Sequence, residues 1–193
     1  TASFEDNDAL IAFAKAVDVI TYEFENIPAF ALNITKNYAP VRPDQEALRI
    51  SQDRLIEKNF LSSLRLKTAP YADTPDFATL LAQLNIIGEP AILKTRRFGY
   101  DGKGQYQIRE RSDAEKAFND MKHAPTILEG FVDFSHEISV IAARGTDGSV
   151  ACFDPGENVH KDGILRSTTL PARLSADQRT DAILTAACIL NSL

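Results

Sequence analysis

A basic, glycine-rich segment at residues 92–105 carries the most distinctive chemistry in the sequence. A strand-like apolar run leads through Lys94 and two arginines into a loop with three glycines in six residues, Gly99, Gly102 and Gly104. Glycines let the backbone turn tightly and approach a ligand closely, and exposed N–H groups beside lysines suit a polyphosphate. The spacing is that of neither a Walker loop nor the dinucleotide fingerprint. Taken alone, the segment would also fit a plain hairpin with a basic flank.

Lys94 and Glu129 each belong to an apolar run, where a buried charge is costly unless it is paired. Lys94 would either reach solvent or contact the phosphates of a nucleotide. Glu129 lies in the run 125–132, which predicts either an ordinary strand or the back of an adenine slot. In the second case Phe131 and Val132 would supply apolar walls and backbone groups that read the adenine edge.

Glu137 and His160 are further candidates. Glu137 interrupts a largely apolar strand, whereas His160 lies in the polar loop 155–163, where ligand contact and solvent exposure fit the sequence equally well. The sequence has no Ser-His-Asp order, no HExxH and no paired-cysteine motif, so nucleophilic and zinc chemistry have no support.

Composition limits the class of protein. The 193 residues are 44% hydrophobic and 25% charged, which is ordinary for a soluble domain. A net charge of -6 argues against nucleic-acid binding, which usually needs a basic face. Two distant cysteines form neither a disulfide framework nor a metal motif. No signal peptide opens the chain and no apolar run approaches the ~20 residues that span a bilayer, so we expect a cytoplasmic protein without a membrane partner.

The elements that must position these residues change character along the chain. The first third alternates helices and strands, which predicts the tail of a parallel doubly wound sheet. Its elements are helix 5–16, strand 17–24, a short helix from Pro28, strand 39–42 and a long helix 44–64.

The middle of the chain predicts a small α+β lobe, and the last third predicts antiparallel strands. The predicted elements are helix 75–85, strand 90–95, strand 105–109, a helix from a capping box at Ser112–Glu115 to about Met121, strand 125–132, a hairpin of 136–143 with 149–154, strand 164–170 and a helix from a capping box at Ser175–Gln178. We therefore expect domains 1–69, 70–132 and 133–193. The chain begins with Thr1 inside this pattern and ends at Leu193 with an unpartnered apolar helix face, so we expect a fragment lacking both ends.

These residues resemble the ATP-grasp superfamily and, within it, the 5-(carboxyamino)imidazole ribonucleotide synthase family. The resemblance runs in order along the chain and rests on Thr21–Glu25, Ser51–Arg54, Leu93-Lys94, Gly99–Gln105, Ile127–Phe131, Glu137–Val140 and Asn158–Arg166. It implies an ATP-grasp fold of mixed α/β and α+β class. The tail of a doubly wound N-terminal domain would precede the small lobe and the start of the large antiparallel lobe.

The resemblance also implies the reaction. ATP would phosphorylate bicarbonate to carboxyphosphate, which would carboxylate 5-aminoimidazole ribonucleotide in purine biosynthesis. Carboxyphosphate hydrolyses readily, so a glycine-rich flap that excludes water would serve this chemistry. The family further suggests a homodimer and Mg²⁺, whose carboxylate ligands are expected in a missing C-terminal segment. Because no side chain that would coordinate the metal can be named here, we expect this chain alone to be inactive.

Site roles follow from the resemblance position by position. Arg54 and Lys94 would contact nucleotide phosphates, and Glu129 with the backbone to Val132 would hold adenine. Glu137 would hold the ribose, with His160 near the nucleotide. The flap would comprise Gly99, Tyr100, Asp101, Gly102, Lys103, Gly104 and Gln105, and the adenine segment would comprise Glu129, Gly130, Phe131 and Val132. The acceptor and bicarbonate would face Tyr100, Asp101 and Lys103, and Glu23 would touch the ribonucleotide.

Two alternatives stay open on the sequence. Another ATP-grasp ligase with a different acceptor would not direct Tyr100, Asp101 and Lys103 at the ribonucleotide. A non-catalytic nucleotide-binding module, the second alternative, would have a gene that stops at Leu193.

Overall fold

The computed structural model describes residues 2–100, 102–122, 124–161 and 163–193. The chain divides into two compact units, Thr1–Glu57 and Lys58–Leu193. The domain limits expected from the sequence stay predictions. None of the helices in the described ranges has the length and apolarity that crossing a membrane requires.

The first unit is built from short helices around a single parallel backbone bridge. Its helices are α1 (Asn7–Lys15), α2 (Ala29–Thr35) and α3 (Gln45–Ser51), and α4 (Arg54–Ser63) begins in it. A buried cluster fills the interior: Ala14, Ile20, Leu32, Ala39, Val41 and Leu48. Each of α1, α2 and α3 contributes one side chain to this cluster, and the other three come from the bridge and the residue Ala39 beside it.

The two strands predicted in this unit are reduced to one bridge. Ile20 pairs with Val41 in the parallel sense, through hydrogen bonds to Pro40 and Arg42 that both measure 2.8 Å. The longer strands predicted at 17–24 and 39–42 were wrong. Pro40 and Pro43 flank the bridge and have no N–H to donate, which limits the ladder on that side.

The predicted long helix 44–64 is in fact two helices. Asp44 caps α3, and its carboxylate accepts from the amides of Glu46 and Ala47. The chain then breaks at Gln52-Asp53, where the Asp53 carboxylate accepts from the Leu55 amide at 3.0 Å and starts α4. A short polar side chain that competes for backbone donors explains why the apolar pattern alone missed the break.

A four-stranded antiparallel sheet opens the second unit. Its strands lie in the order β1-β4-β2-β3. They are β1 (Tyr71–Thr74), β2 (Ala91–Thr95), β3 (Gln105–Ile108) and β4 (Thr126–Gly130). The sequence predicted β2, β3 and β4 but missed β1, which is four residues long and follows directly after Pro70.

Helices α5 (Phe77–Ile87) and α6 (Ala114–Asp120) cover one face of this sheet. The buried cluster between sheet and helices comprises Leu80, Leu84, Ala91, Leu93, Ile108, Ala114, Ala117, Met121 and Leu128. The predicted capping box at Ser112–Glu115 was wrong in register: Glu110 and Asp113 form it, around a 3-10 turn that precedes α6.

The remaining strands form two smaller antiparallel sheets. One has the order β5-β8-β9, and β6 pairs with β7 in the other. The strands are β5 (Glu137–Ser139), β6 (Ala142–Arg144), β7 (Val150–Cys152), β8 (Gly156–Lys161) and β9 (Ile164–Thr169). The hairpin turn at 145–148 was predicted correctly. The strand predicted at 136–143 is divided between two sheets. Most of the predicted loop 155–163 is β8, and the sequence did not predict this strand because polar residues such as Asn158 and His160 are typical of a loop.

Helix α7 (Ala176–Ser192) closes the described chain. The predicted capping box is present: Ser175 accepts from the Gln178 amide, and the Gln178 side chain accepts from the Ser175 amide. The helix begins where the sequence predicted because both orphan donors are satisfied locally.

Candidate functional site

The four-stranded sheet separates an apolar face from a polar one. Leu93 of β2 and Leu128 of β4 are in register and fully buried against the helices. Because successive side chains of a strand point to opposite faces, the next residues along, Lys94 and Glu129, belong to the other face. The alternation that builds the core therefore also places two opposite charges on the side of the sheet that faces away from α5 and α6.

A cluster of three charges forms on that side. One carboxylate oxygen of Glu129, Oε2, lies 3.0 Å from Nζ of Lys94 and 3.1 Å from Nζ of Lys58. The three side chains are largely buried, with exposed fractions of 8% for Glu129, 19% for Lys94 and 15% for Lys58. We call these residues the lysine–glutamate cluster.

The cluster stabilises the ionised form of Glu129. Burial raises the pKa of this carboxyl, but the ammonium groups of Lys94 and Lys58 act in the opposite direction and prevail. The pKa of Glu129 therefore lies below its ordinary value, and the carboxylate is charged at neutral pH.

Lys58 is the member of this cluster that the sequence interpretation missed. It follows Arg54 by four residues within α4, a spacing that aligns side chains along one helix face. That spacing could have indicated Lys58 as a site residue, because the resemblance implies that Arg54 contacts the phosphates.

The glycine-rich loop lies at the end of β2 and returns into β3. The amide of Thr95 donates to the carbonyl of Gly104 at 2.7 Å, and the amide of Lys103 donates to the carbonyl of Tyr100 at 2.7 Å. Nζ of Lys103 lies 4.7 Å from the centroid of the Tyr100 ring and 3.2 Å from its hydroxyl oxygen. Two of the predicted acceptor-facing residues thus contact each other, and the third, Asp101, lies outside the described residues.

Gly104 of this loop leaves no room for a side chain. Its φ is +71°, and a Cβ built there would lie 2.5 Å from Oγ1 of Thr95. The close return of the loop to β2 therefore requires glycine.

An open cavity of about 340 Å³ adjoins the polar face of the sheet. Its lining residues come from four regions, namely β2, the loop with β3, the residue after β4 and the residue before β9: Ile92, Gly102, Gln105, Gln107, Phe131 and Gly163. The flap residues Gly102 and Gln105 and the adenine-segment residue Phe131 are thus brought to one cavity. The space is of the size that small-molecule ligands occupy.

At the end of β4 and directly after it, two backbone amides already donate hydrogen bonds within the protein. The amide of Gly130 donates to the carbonyl of Pro70 at 2.8 Å, and the amide of Phe131 donates to that of Pro90 at 3.2 Å. The side chains of Phe131 and Val132 are about half exposed. An adenine read by backbone donors of this segment would therefore use the amide of Val132 or of a later residue.

Glu137 and His160 are brought together by the pairing of β5 with β8. Oε1 of Glu137 lies 2.9 Å from Nδ1 of His160, and both side chains are partly exposed. A register shift between Val159 and His160 interrupts the ladder with β9 at this point. Such irregularities reorient a side chain locally, so the contact was not visible from residue spacing.

The other predicted residues belong to the first unit. Glu23 is exposed in the segment between α1 and α2, and Arg54 is the first residue of α4. Within the described ranges, no group of three or more His, Cys, Asp or Glu side chains is arranged to hold a metal ion.

Two family models match the chain. The ATP-grasp domain matches residues 59–193, and the ribonucleotide synthetase preATP-grasp domain matches residues 1–52. The expected fold class is thereby confirmed, with a preATP-grasp region followed by an ATP-grasp region of mixed α and β structure.

Several known proteins are similar over nearly the whole chain. N5-carboxyaminoimidazole ribonucleotide synthase of Brucella melitensis biotype 1 is 50% identical over 188 residues, which is 96% of this chain and 52% of that protein. The structure of the synthetase from Thermus thermophilus has 36% identity and a TM-score of 0.92, and the match covers 100% of this chain and 52% of the other. An ADP complex of such a synthetase has 34% identity and a TM-score of 0.94, covering 99% and 51%.

The chain spans about half the length of the curated relatives it matches. Its polar sheet face, its glycine-rich flap and most of its lysine–glutamate cluster lie in the residues matched by the ATP-grasp domain, and Lys58 directly precedes them. On this match, which extends over more than half of the sequence, the chain belongs to the ATP-grasp family.

Proposed function

We propose that this chain supplies the nucleotide site of an ATP-dependent ligase that forms N5-carboxyaminoimidazole ribonucleotide in purine biosynthesis. The observation that carries the proposal is that one side of the four-stranded sheet bears Lys94 and a cavity lined by Gly102 and Gln105 of the flap and by Phe131. The names of the relatives give the product, and the ADP complex of a similar synthetase supports use of ATP.

The proposed reaction has two steps. An oxygen of bicarbonate attacks the γ-phosphorus of ATP, ADP leaves, and carboxyphosphate forms. The exocyclic amine of 5-aminoimidazole ribonucleotide then attacks the carbonyl carbon, inorganic phosphate leaves, and the amine loses a proton. Both steps join anions, so the site must supply positive charge and exclude water.

The described residues suit these requirements in different ways. Lys94, and Arg54 from the first unit, would neutralise phosphate charge. The flap would close over the phosphates with its backbone donors, while Tyr100 and Lys103 would face bicarbonate and the ribonucleotide. Asp101 and Glu23 keep the acceptor-side roles that the resemblance implies.

The nucleoside end of ATP would occupy the cavity beside Phe131 and Val132. Glu129 and the backbone to Val132 would hold adenine, with the Glu129 carboxylate next to Lys94, and the Glu137 carboxylate would accept from the ribose hydroxyls. His160 would orient Glu137, since the two side chains are in hydrogen-bond contact.

Several properties of the full enzyme belong to the same proposal. We infer a cytoplasmic homodimer that uses Mg²⁺ with ATP and takes bicarbonate as a substrate. The described residues do not form a metal site of their own, and we propose, as the resemblance implies, that the Mg²⁺ ligands belong to a C-terminal segment of the full enzyme.

The test is ADP release by the full-length protein with MgATP and bicarbonate, in the presence and absence of 5-aminoimidazole ribonucleotide. We expect strong stimulation by the ribonucleotide and formation of one carboxylated product for each ADP released. The Lys94→Ala variant, assayed beside it, should lose ADP release and product together. ADP release that ignores the ribonucleotide would mean a different acceptor, and no ADP release would exclude the ligase function.

A further inference from the structure

The lysine–glutamate cluster has one more cation than its carboxylate needs. Both Lys58 and Lys94 contact the same oxygen of Glu129, at 3.1 and 3.0 Å. Lys94 comes from β2, beside Glu129 in the sheet, and Lys58 comes from α4. On the other side of Glu129, Tyr71 of β1 is in register with it, but the Tyr71 hydroxyl donates to Asn59 at 2.9 Å. The charge of Glu129 is therefore shared between two ammonium groups.

Nucleotide binding would change this arrangement. A phosphate that takes Lys94 draws this ammonium away from Glu129, whose side chain is only 8% exposed. A buried carboxylate without a cation is costly and tends to take up a proton. A site with Lys94 alone would therefore lose binding energy each time the lysine moved to the ligand.

We propose that Lys58 is a positioning residue that keeps Glu129 ionised and in place while Lys94 is transferred to the nucleotide phosphates. The inference rests on the proposed function, because it takes a nucleotide as the ligand that withdraws Lys94. Lys58 would touch neither the phosphates nor the acceptor. It acts through Glu129, and it makes nucleotide affinity independent of the protonation of that carboxyl.

The proposal predicts a specific pH signature when Lys58 is removed. In a Lys58→Met variant, Glu129 is compensated by Lys94 before binding but is left alone once Lys94 contacts phosphate. Its pKa then rises on binding, so binding becomes coupled to proton uptake. We expect the dissociation constant to rise with pH, by up to about tenfold per pH unit, beyond any pH dependence of the wild type.

The experiment measures ADP binding by isothermal titration calorimetry with the full-length protein. Titrations at about pH 6, 7 and 8, in pairs of buffers with different ionisation enthalpies, give both the dissociation constant and the number of protons taken up. Because ADP itself titrates in this range, the quantity of interest is the difference between variant and wild type. We expect Lys58→Met to take up as much as one additional proton.

Three variants serve as controls. Lys58→Arg retains a cation and should behave as the wild type does. Lys58→Met with Glu129→Gln has no carboxylate to protonate, so its additional proton uptake should vanish. Lys116→Met removes an exposed lysine of α6 that pairs with Asp120, and it should leave binding unchanged.

The outcomes separate the inference from the proposed function. If the wild type does not bind ADP, the proposed function fails. If the wild type binds ADP but Lys58→Met binds without additional proton uptake, the positioning role is overturned and the ligase function stands. Should Lys58→Met not fold, the ¹³C carboxyl resonance of Glu129 in the wild type decides: the group should stay ionised at saturating ADP, and its protonation would refute the proposal.

Discussion

The second unit contains two antiparallel strand regions that differ in how deeply their side chains are buried. The first, β1–β4, packs one face against α5 and α6, and β4 is buried along almost its whole length. The second, β5–β9, has short strands, and every described residue of β9 is exposed. A strand period alone does not reveal this difference, because burial depends on what covers the strand.

The charges of the two regions differ accordingly. Glu129 pairs with two lysines inside a largely buried cluster. Ion pairs are strong in such surroundings, and a buried charge that loses its partner costs free energy. The Glu157–Arg173 ion pair of the second region reaches solvent through a highly exposed Arg173. Exposed pairs contribute little to stability because water screens them. The first region therefore carries both the core and the more deeply buried charge cluster.

The largest expected effect tests the packing half of this comparison. Leu128→Ala in β4 removes a fully buried side chain and should lower the free energy of unfolding by about 2–5 kcal/mol. The matched change Leu165→Ala in β9 removes a half-exposed side chain and should alter it by less than about 0.5 kcal/mol. Urea unfolding of both variants checks the pair, and equal losses would contradict the contrast.

The next effect tests the electrostatic half. Lys94→Ala should weaken ATP binding by about tenfold to a hundredfold, because a charge-assisted contact of about 1.5–3 kcal/mol is lost. Lys58 still compensates Glu129 in this variant, so the fold should persist. Equilibrium binding with Lys116→Ala as the surface control gives the result, and an unchanged dissociation constant would remove Lys94 from the site.

A pair of glycines sharpens the comparison further. Gly104 in the flap and Gly148 in the β6–β7 turn both have positive φ, so alanine at either should cost about 1–2 kcal/mol of stability. Only at Gly104 does the new Cβ collide with Thr95, whereas at Gly148 no heavy atom lies within 4 Å. ADP affinity should therefore fall about fivefold, or roughly 1 kcal/mol, in Gly104→Ala alone. Equal affinities in the two variants would show that the flap base does not affect binding.

The smallest effect concerns acid stability. Hydrogen bonds from the Arg173 side chain and backbone lower the pKa of Glu157 from 4.5 to about 2. A depressed pKa stabilises the fold fully above the unfolded value of 4.5, and that stabilisation is lost as the pH falls toward 2. The stability difference between wild type and Glu157→Gln should thus shrink between about pH 6 and pH 3. Urea midpoints at both pH values measure it, and a constant difference would rule out the linkage.

Much of the local structure was predictable from the sequence. Three kinds of feature depend on residues that are close together in the sequence, so the sequence is enough to predict them: the capping box at Ser175, the turn at 145–148 and the apolar runs of β2 and β4. Errors occurred where a side chain competes with the backbone, as at Asp53, or where polar residues occupy an exposed strand, as in β8. At Asp53 the deciding partner is the nearby Leu55 amide, whose effect the apolar spacing does not show, whereas β8 is decided by its pairing with β5 and β9.

The sequence by itself determined the glycine-rich flap, the strand that carries Lys94 and the membership of a nucleotide-using fold family. Only the tertiary structure decided that Lys58, far from Glu129 along the chain, would share its carboxylate with Lys94. It likewise paired Glu137 with His160 across β5 and β8. The flap could be predicted because the backbone freedom of glycine is a property of the residue type itself. Charge pairing follows from strand register and helix placement, which the whole chain fixes when it buries its apolar surface.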